Sequence, residues 1–291
     1  MATVLVTGAN GQVGRELQEE LLTLGHKVVA LGHKDLDITD ENSIASLFES
    51  LKLDLVVNSA AYTAVDKAED EEQFAYAVNA LGPKYLAKTC KSYNIPLIHI
   101  STDYVYDTKI DREHNENDSL NTNCAYGKTK LFGERFIKES GCDYVILRAS
   151  WIFGRFGKNF VKAMVNLSQT RDTLNVVSDE VGNPTPARAL AHDICQIGNK
   201  ILEGNFKDFG IYNYCAQGPI ARNEFAKVIL AKAQQVGLLD HDVTVNAITQ
   251  EQFGAKAQRP KDARMNTSKF ERTFNIKLPL WQDYLEETMR G

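Results

Sequence analysis

The sequence predicts an α/β protein with a Rossmann-type, doubly wound parallel sheet and a smaller C-terminal α/β lobe. Short apolar runs alternate with amphipathic segments through the first half of the chain, which is the pattern of βαβ units on a parallel sheet. A glycine-rich loop separates the first apolar run from the first amphipathic segment. The regular alternation breaks down after about Trp151, which places a second, less regular lobe in the C-terminal half.

The elements of the first half are predicted in chain order. Residues 4–6 form a strand, residues 12–24 a helix and residues 27–31 a second strand. Asp40 is the expected N-cap of the next helix, because its carboxylate can accept a hydrogen bond from a free backbone N–H group of the first turn. The remaining elements are a strand at 55–57, a helix at 72–93, a strand at 96–100, a helix from Tyr126 to about Ser140 and a strand at 144–147.

We expect the chain to divide near residue 150. Residues 1–150 would form the Rossmann domain, and residues 151–291 mainly the second lobe, with segments that return to the first domain. Pro184, Pro186 and the late Arg259-Pro260 pair indicate that this lobe consists of separated loops and helices. Such a lobe would cover the carboxyl edge of the sheet, where ligands of open α/β sheets bind.

The composition excludes several classes of protein. The net charge is −5 and no basic block is present, so nothing favours nucleic-acid binding. The longest apolar stretches are strand-sized and the N-terminus has the pattern of a strand, so we expect a cytoplasmic protein without a membrane span or signal peptide. The five cysteines are scattered without a Cys-x-x-Cys pair, which favours free thiols over disulfides or zinc ligands.

The loop between the first strand and the first helix contains Gly8, Gly11 and Gly14. At this position backbone N–H groups and the helix dipole favour a pyrophosphate, and small residues let a cofactor approach closely. The loop therefore predicts dinucleotide binding, with a glycine spacing different from Gly-x-Gly-x-x-Gly. The predicted contacts are Gly8, Asn10, Gly11, Gln12 and Val13.

The end of the second strand indicates which dinucleotide is favoured. An NAD-specific site normally has an acid there for the ribose hydroxyls, whereas this chain has Gly32, His33 and Lys34. NADPH is therefore the expected cofactor, with NADH as the alternative. Asp37 and Ile38 are expected to bracket the adenine, with Asp37 at its amino group.

The next two strands end in residues suited to a reactive centre. Ala60, Ala61 and Tyr62 follow the third strand and are expected to form a wall against the nicotinamide ribose. Thr102 ends the fourth strand at the same edge of the sheet, so its hydroxyl could meet Tyr126 over one carbonyl group.

Tyr126 and Lys130 lie four residues apart on a predicted helix, and their side chains should share one face of it. An ammonium near a phenol favours the ionised phenol and lowers its pKa. The pair therefore predicts a proton donor and acceptor that works near neutral pH in nicotinamide-dependent redox chemistry.

Several longer segments show a family resemblance. The glycine loop, residues 58–69, residues 101–106 and the Tyr126-to-Lys130 segment together resemble the extended short-chain dehydrogenase/reductase superfamily, and within it the dTDP-4-dehydrorhamnose reductase family. The resemblance continues through residues 148–154, 159–160, 179–185 and 259–260, so it covers nearly the whole chain. It implies reduction of the C4 ketone of dTDP-4-dehydro-6-deoxy-L-mannose to dTDP-L-rhamnose.

The resemblance also implies roles for single residues. Tyr126 would protonate the carbonyl oxygen, Lys130 would bind the nicotinamide ribose and lower the phenol pKa, and Thr102 would bind the substrate oxygen. The implied substrate-binding residues are Val65, Thr102, Asp103, Tyr104, Tyr126 and Trp151.

One position departs from the family pattern. Some members are described as dimers bridged by magnesium through glutamates, and Glu16 matches one such ligand. Arg188 stands where another ligand is expected, and a cation there removes most of the reason for a divalent ion to bind. We therefore expect no metal site, and either a monomer or a homodimer.

Two other functions remain open at the level of the sequence. One is a sugar-nucleotide epimerase or dehydratase that keeps NAD tightly bound, although dehydratases typically carry an acid where this chain has Tyr104. The other is a non-catalytic NADP-binding subunit that regulates a partner enzyme. The intact Thr102, Tyr126 and Lys130 argue against the second alternative.

Overall fold

A parallel sheet of six strands forms the centre of the protein, and the computed structural model describes all of residues 1–291. The strands are β1 (Thr3–Thr7), β2 (Lys27–Leu31), β3 (Leu55–Asn58), β4 (Leu97–Thr102), β5 (Tyr144–Ala149), β6 (Ile152–Phe153), β7 (Thr173–Val177), β8 (Val181–Gly182), β9 (Thr185–Pro186), β10 (Gly210–Tyr214), β11 (Ile220–Ala221), β12 (Thr244–Ile248) and β13 (Asp262–Ala263). The helices are α1 (Gln12–Thr23), α2 (Glu41–Ser50), α3 (Val65–Ala68), α4 (Glu72–Tyr76), α5 (Gly82–Tyr93), α6 (Ala125–Ser140), α7 (Phe160–Ser168), α8 (Ala187–Leu202), α9 (Arg222–Gln235), α10 (Gln250–Phe253), α11 (Ser268–Phe274) and α12 (Leu285–Arg290).

The order of the strands places the ligand edge. The central sheet runs β2-β1-β3-β4-β5-β10 with every neighbouring pair parallel. The chain goes from β1 outward to β2 and then returns to the other side of β1, so the winding direction reverses between β1 and β3. Ligands of open α/β sheets bind at the carboxyl ends of the strands at such a switch point. The predicted Rossmann-type α/β class is confirmed.

Alternating side chains of the strands bury both faces of the sheet. Val4 and Val6 face a core shared with α1, α8 and α11, whereas Leu5 faces a core shared with α2, α5 and α6. Asp40 caps α2 as predicted, since its Oδ1 accepts a hydrogen bond of 3.0 Å from the backbone N–H of Asn42. None of the helices combines the length and apolar character that a membrane-crossing segment requires.

The predicted helix over residues 72–93 contains one irregular turn. Residues Ala77–Leu81 form a π-helical segment between α4 and α5. Pro83 explains it, because a proline has no N–H to donate to the carbonyl of Asn79 four residues earlier and its ring would collide there. The freed Asn79 carbonyl lies against Gly133 of α6, where a Cβ would come within 2.2 Å of it.

The C-terminal half builds a separate core and also returns to the sheet. Phe153, Phe225 and Trp281 are buried together in the second core, between α7, α9 and the parallel pair β7 and β12. In contrast, α8 packs on α1, and β10 extends the main sheet beside β5. Division of the chain into two domains near residue 150 stays a prediction. All five cysteines are buried and unpaired.

Candidate active site

A cavity of about 630 Å³ opens at the carboxyl ends of the central strands. The second lobe covers it, as expected for this edge of the sheet. Among the predicted site residues, those that line the cavity are Gly11, Gln12, Val13, Ala61, Val65, Thr102, Asp103, Tyr104, Tyr126, Lys130 and Trp151. Gly8, Asn10, Asp37, Ile38, Ala60 and Tyr62 are not among its lining residues.

The glycine loop is shaped so that side chains would not fit. Gly8 has a φ of +66°, and a Cβ there would lie 2.6 Å from the backbone nitrogen of Ala60. A Cβ on Gly14 would lie 2.3 Å from the carbonyl oxygen of Gly8. Gly8 and Ala60 therefore pack closely against each other, next to the cavity-lining residues Gly11 and Ala61. No side chain caps α1 at Gly11, so the N–H groups of its first turn remain available to a pyrophosphate.

The end of β2 differs from the sequence prediction. A carboxylate does lie there, because the chain turns after Gly32 and Asp35 Oδ2 accepts a hydrogen bond of 3.0 Å from the Gly32 backbone N–H. Asp37 accepts hydrogen bonds from the backbone and hydroxyl of Thr39, which lower its pKa. Ile38 is buried against α5 at Gly82. Contact of Asp37 and Ile38 with adenine stays a prediction.

The three predicted catalytic side chains meet in the cavity. Thr102 lies at the end of β4, while Tyr126 and Lys130 lie on the first two turns of α6, which line the same cavity. Thr102 Oγ1 donates to Asp103 Oδ1 at 3.0 Å and accepts from the Tyr104 backbone N–H at 3.3 Å. The nearby Thr102 hydroxyl also acts to lower the pKa of the Tyr126 phenol.

Taken together, the chain's own groups raise the pKa of Tyr126, opposite to the sequence prediction, because burial outweighs the lowering effect of Thr102. Burial raises the pKa of Tyr126 well above its ordinary value, because its ionised form is poorly solvated and Asp103 repels it. Burial also lowers the pKa of Lys130 to about 8. The Lys130 Nζ contacts the Ile100 carbonyl oxygen at 2.7 Å and His99 Nε2 at 3.2 Å.

Asp103 is a buried carboxyl group beside Thr102. Burial raises its pKa to about 7, and its Oδ2 atom has no hydrogen-bond partner. The group therefore takes up a proton at a pH where an exposed aspartate remains ionised.

Asp103→Asn should stabilise the protein above pH 7. The pKa of Asp103 is higher in the folded protein than in the unfolded chain, so ionisation of this group favours the unfolded chain. The stabilising contribution of Asp103 is therefore fully present below pH 4 and is lost as the pH rises to about 7. The amide removes this loss, and we expect a gain on the order of 1–3 kcal/mol at pH 8 that shrinks towards pH 5. Urea unfolding at both pH values measures it. Exposed Asp111→Asn is the control, and an equal gain at pH 5 and pH 8 would contradict the prediction.

Trp151 forms one wall of the cavity together with Arg222, which the sequence did not single out. Its φ is +44°, a strained conformation for a bulky residue. Its ring fits because Gly182 has no side chain, since a Cβ there would lie 2.8 Å from the indole. The Arg222 guanidinium lies 3.5 Å from the centroid of Trp151, and it donates to Glu180 at 3.2 Å. Trp151 is thereby held between a cation and a glycine.

Arg259 also lines the cavity. It donates to Tyr104 Oη at 3.2 Å and to Asp66 Oδ2 at 2.6 Å, next to the predicted contact Val65. The sequence analysis named Arg259 only as part of the Arg259-Pro260 pair, and it did not name Arg222. Neither could be assigned to the site from the sequence, because both reach it from distant parts of the chain.

A second cavity of about 850 Å³ adjoins the first. The two share Lys158, Phe160, Arg222 and Arg259, and the second adds Arg171. Four cations therefore lie along a continuous cleft, which suits an anionic, elongated ligand. Tyr62 lines neither cavity, and its hydroxyl is bonded to Glu71 at 2.5 Å.

The two positions compared with the magnesium ligands of the family, Glu16 and Arg188, form ion pairs. Both oxygens of the buried Glu16 carboxylate accept hydrogen bonds from Arg155, at 3.1 and 2.5 Å. Arg188 donates to Glu287 at 2.5 Å. The structure contains no group of three or more His, Cys, Asp or Glu side chains placed to hold a metal ion. A metal-free site stays a prediction.

Comparisons with known proteins agree with this geometry. Residues 1–291 match the family model described as RmlD substrate binding domain. The chain is 38% identical to the dTDP-4-dehydrorhamnose reductase of Aggregatibacter actinomycetemcomitans over 98% of each chain. It superposes on the NADP complex of the Bacillus anthracis dTDP-4-dehydrorhamnose reductase with a TM-score of 0.90 and 33% identity, over 99% of each chain. The Clostridium acetobutylicum dTDP-4-dehydrorhamnose reductase gives a TM-score of 0.91 at 38% identity, over 99% of this chain and 98% of that one. The chain therefore belongs to the dTDP-4-dehydrorhamnose reductase family that the RmlD substrate-binding model describes.

Proposed function

We propose that the protein reduces the C4 ketone of dTDP-4-dehydro-6-deoxy-L-mannose to dTDP-L-rhamnose with NADPH. The observation that carries this proposal is that Thr102, Tyr126 and Lys130 line one cavity with the glycine loop. The uncapped start of α1 and the glycines at its N-terminus fit the pyrophosphate of a dinucleotide. The bound cofactor supplies the hydride, and the chain's own residues orient the ketone and supply the proton.

The proton donor in this reaction is Tyr126. Burial keeps its phenol protonated near neutral pH, which is the form required before a ketone is reduced. The Thr102 hydroxyl, which lines the same cavity as the phenol, positions the substrate oxygen between the two. Lys130 binds the nicotinamide ribose from the next turn of α6. Val65, Asp103, Tyr104 and Trp151 shape the sugar pocket.

We place the dTDP group in the cleft that continues into the second cavity. Lys158, Arg171, Arg222 and Arg259 face this cleft and supply the positive charge that a diphosphate requires. Trp151 and Phe160 provide flat apolar surfaces beside those cations. The sugar then lies next to Tyr126, where the two cavities meet.

A direct absorbance assay of NADPH consumption tests the proposed reaction. Purified protein, NADPH and the dTDP-ketosugar should give a loss of absorbance at 340 nm that is stoichiometric with the ketosugar. An epimerase or dehydratase would convert substrate without net loss of NADPH, and a regulatory subunit would consume neither. Tyr104 supports the reductase over a dehydratase, because its hydroxyl is bonded to Arg259 where a dehydratase typically has an acid.

Cofactor preference should depend on two neighbouring side chains of opposite charge. Lys34→Glu should lower kcat/KM for NADPH on the order of tenfold with little change for NADH, because an exposed cation near the 2′-phosphate becomes an anion. Asp35→Asn should shift the preference towards NADPH, since the carboxylate beside Gly32 loses its charge. Steady-state kinetics with NADPH and NADH measure the preference. The same preference in the unsubstituted protein, Lys34→Glu and Asp35→Asn would contradict the prediction.

Chelation should leave the activity unchanged. Arg155 neutralises Glu16 within the chain, and Arg188 occupies the second predicted ligand position, so neither catalysis nor assembly needs a bridging ion. After exhaustive EDTA treatment the rate and the mass in solution, whether of a monomer or a homodimer, should match those of untreated protein. Activity that only magnesium restores would contradict this prediction.

A further inference from the structure

One turn of the chain joins the first helix to the second lobe. Residues 154–158 lie between β6 and α7 and form this bridging turn. Arg155 of the turn bonds both carboxylate oxygens of Glu16 on α1, at 3.1 and 2.5 Å. Gly157 has a φ of +67°, and a Cβ there would lie 3.1 Å from Cγ of Gln12. The bridging turn therefore packs against the N-terminal part of α1.

Asn159 follows the bridging turn and bonds to both helices. It is the N-cap of α7, where its Oδ1 accepts a hydrogen bond of 3.0 Å from the Lys162 backbone N–H. Because a backbone N–H can only donate, the orientation of the amide is fixed and Nδ2 is the donor on its other side. Nδ2 donates to Gln12 Oε1 at 2.9 Å and to the Gly154 carbonyl oxygen at 2.8 Å. One of these bonds thus reaches the first residue of α1.

The two ends of this connection lie in different cavities. Gln12 lines the first cavity, where the N–H groups of the first turn of α1 remain available to a pyrophosphate. Asn159 lines the second cavity, and Lys158 just before it lines both. The sites proposed for the two anionic ligands are therefore linked through Asn159 and Lys158.

Such a link makes the binding of one ligand affect the binding of the other. A pyrophosphate that bonds the first N–H groups of α1 restrains Gln12, and Gln12 restrains Asn159 and the neighbouring Lys158. Ordering an exposed lysine costs conformational entropy, so a second ligand that meets an already ordered Lys158 binds more tightly. By thermodynamic reciprocity, each ligand then tightens the other by the same factor.

We propose that Asn159 is a positioning residue that couples dinucleotide binding at the glycine loop to sugar-nucleotide binding in the second cavity. The inference rests on the proposed function, because it takes the two ligands to be NADPH and a dTDP-sugar. Capping of α7 requires only Oδ1 of Asn159, whereas the coupling requires its Nδ2.

Isothermal titration calorimetry of the full-length protein measures this coupling. The probe is dTDP, titrated with and without saturating NADP⁺. Because dTDP has no sugar to meet the nicotinamide, a difference in affinity reports the protein rather than a contact between the ligands. We expect NADP⁺ to tighten dTDP binding at least about fivefold, the lower end of typical couplings. Equal dTDP affinity under the two conditions would overturn the proposal.

Two variants test whether Asn159 carries the coupling. Asn159→Ser keeps a residue that caps helices well but has no second polar atom to reach Gln12. Gln12→Met removes the acceptor and leaves the cap of α7 intact. Each should reduce the coupling below about twofold. Asp40→Ser, which exchanges the N-cap of α2 and lines neither cavity, is the control and should keep the full coupling. Unreduced coupling in both Asn159→Ser and Gln12→Met would refute the role of Asn159.

Hydrogen exchange followed by nuclear magnetic resonance gives a second test that needs only the dinucleotide. Lys162 does not line the first cavity, so protection of its backbone N–H by NADP⁺ reports transmission through Asn159. We expect NADP⁺ to slow this exchange about fivefold in the unsubstituted protein and to have little effect in Asn159→Ser. A residue that only capped α7 would give the same exchange with and without NADP⁺.

The two proposals can fail separately. Failure of dTDP to bind under either condition, together with a failed absorbance assay, would count against the proposed function, and exchange at Lys162 would then decide the role of Asn159. A working absorbance assay without protection of Lys162 would count against the role of Asn159 alone.

Discussion

Tyr126→Phe should lower kcat by ~10²–10⁴, the usual contribution of a positioned general acid. The substitution removes only the hydroxyl that gives its proton to the ketone oxygen, and it leaves the ring in place against Tyr104, whose centroid is 5.3 Å away. Affinity for NADPH should be nearly unchanged, because the glycine loop and Lys130 are untouched. Single-turnover rates at 340 nm and NADPH fluorescence titration measure the two effects separately.

Tyr106→Phe is the matched control for this result. It deletes a buried phenolic hydroxyl that bonds Asn213 Oδ1 at 2.5 Å and does not face the cavity. It should reduce stability while kcat stays near that of the unsubstituted protein. If Tyr126→Phe kept more than about a third of the original turnover, the assignment of Tyr126 as the general acid would be wrong.

Arg148→Met should lower the free energy of unfolding by about 3–5 kcal/mol, because it leaves a buried carboxylate without its cation. Arg148 and Glu134 form two hydrogen bonds, at 2.7 and 2.9 Å, and their side chains are only 1% and 2% exposed. This pair joins β5 to α6 one turn after Lys130, so its loss should also disturb the catalytic helix. Urea unfolding followed by circular dichroism gives the stability change.

An exposed ion pair provides the comparison. In the Lys88–Glu41 pair the side chains are 66% and 42% exposed, and Lys88→Met should cost ~0–1 kcal/mol. Adding Glu134→Leu to Arg148→Met should recover part of the lost stability, since the unpaired charge is then gone. Similar small losses in Lys88→Met and Arg148→Met would show that burial does not determine the strength of the Arg148–Glu134 pair.

Local features of this protein could be predicted from its sequence. The second strand has the predicted bounds, Asp40 caps α2, and the glycine loop joins β1 to α1 as expected. Thr102, Tyr126 and Lys130 were found because strand ends and a four-residue helical spacing depend on periods of a few residues. Such periods are properties of short segments, so they can be read before the chain is folded.

The properties that depend on burial or on distant segments were decided only by the tertiary structure. Asp35 reaches Gly32 through a turn that the strand pattern did not indicate, and Arg222 and Arg259 enter the cavity from the second lobe. The pKa of Tyr126 moved opposite to the prediction, because the helical spacing showed the nearby cation and could not show the cost of burial. The solvation of a group depends on everything that packs around it, and that is known only once the whole chain has folded.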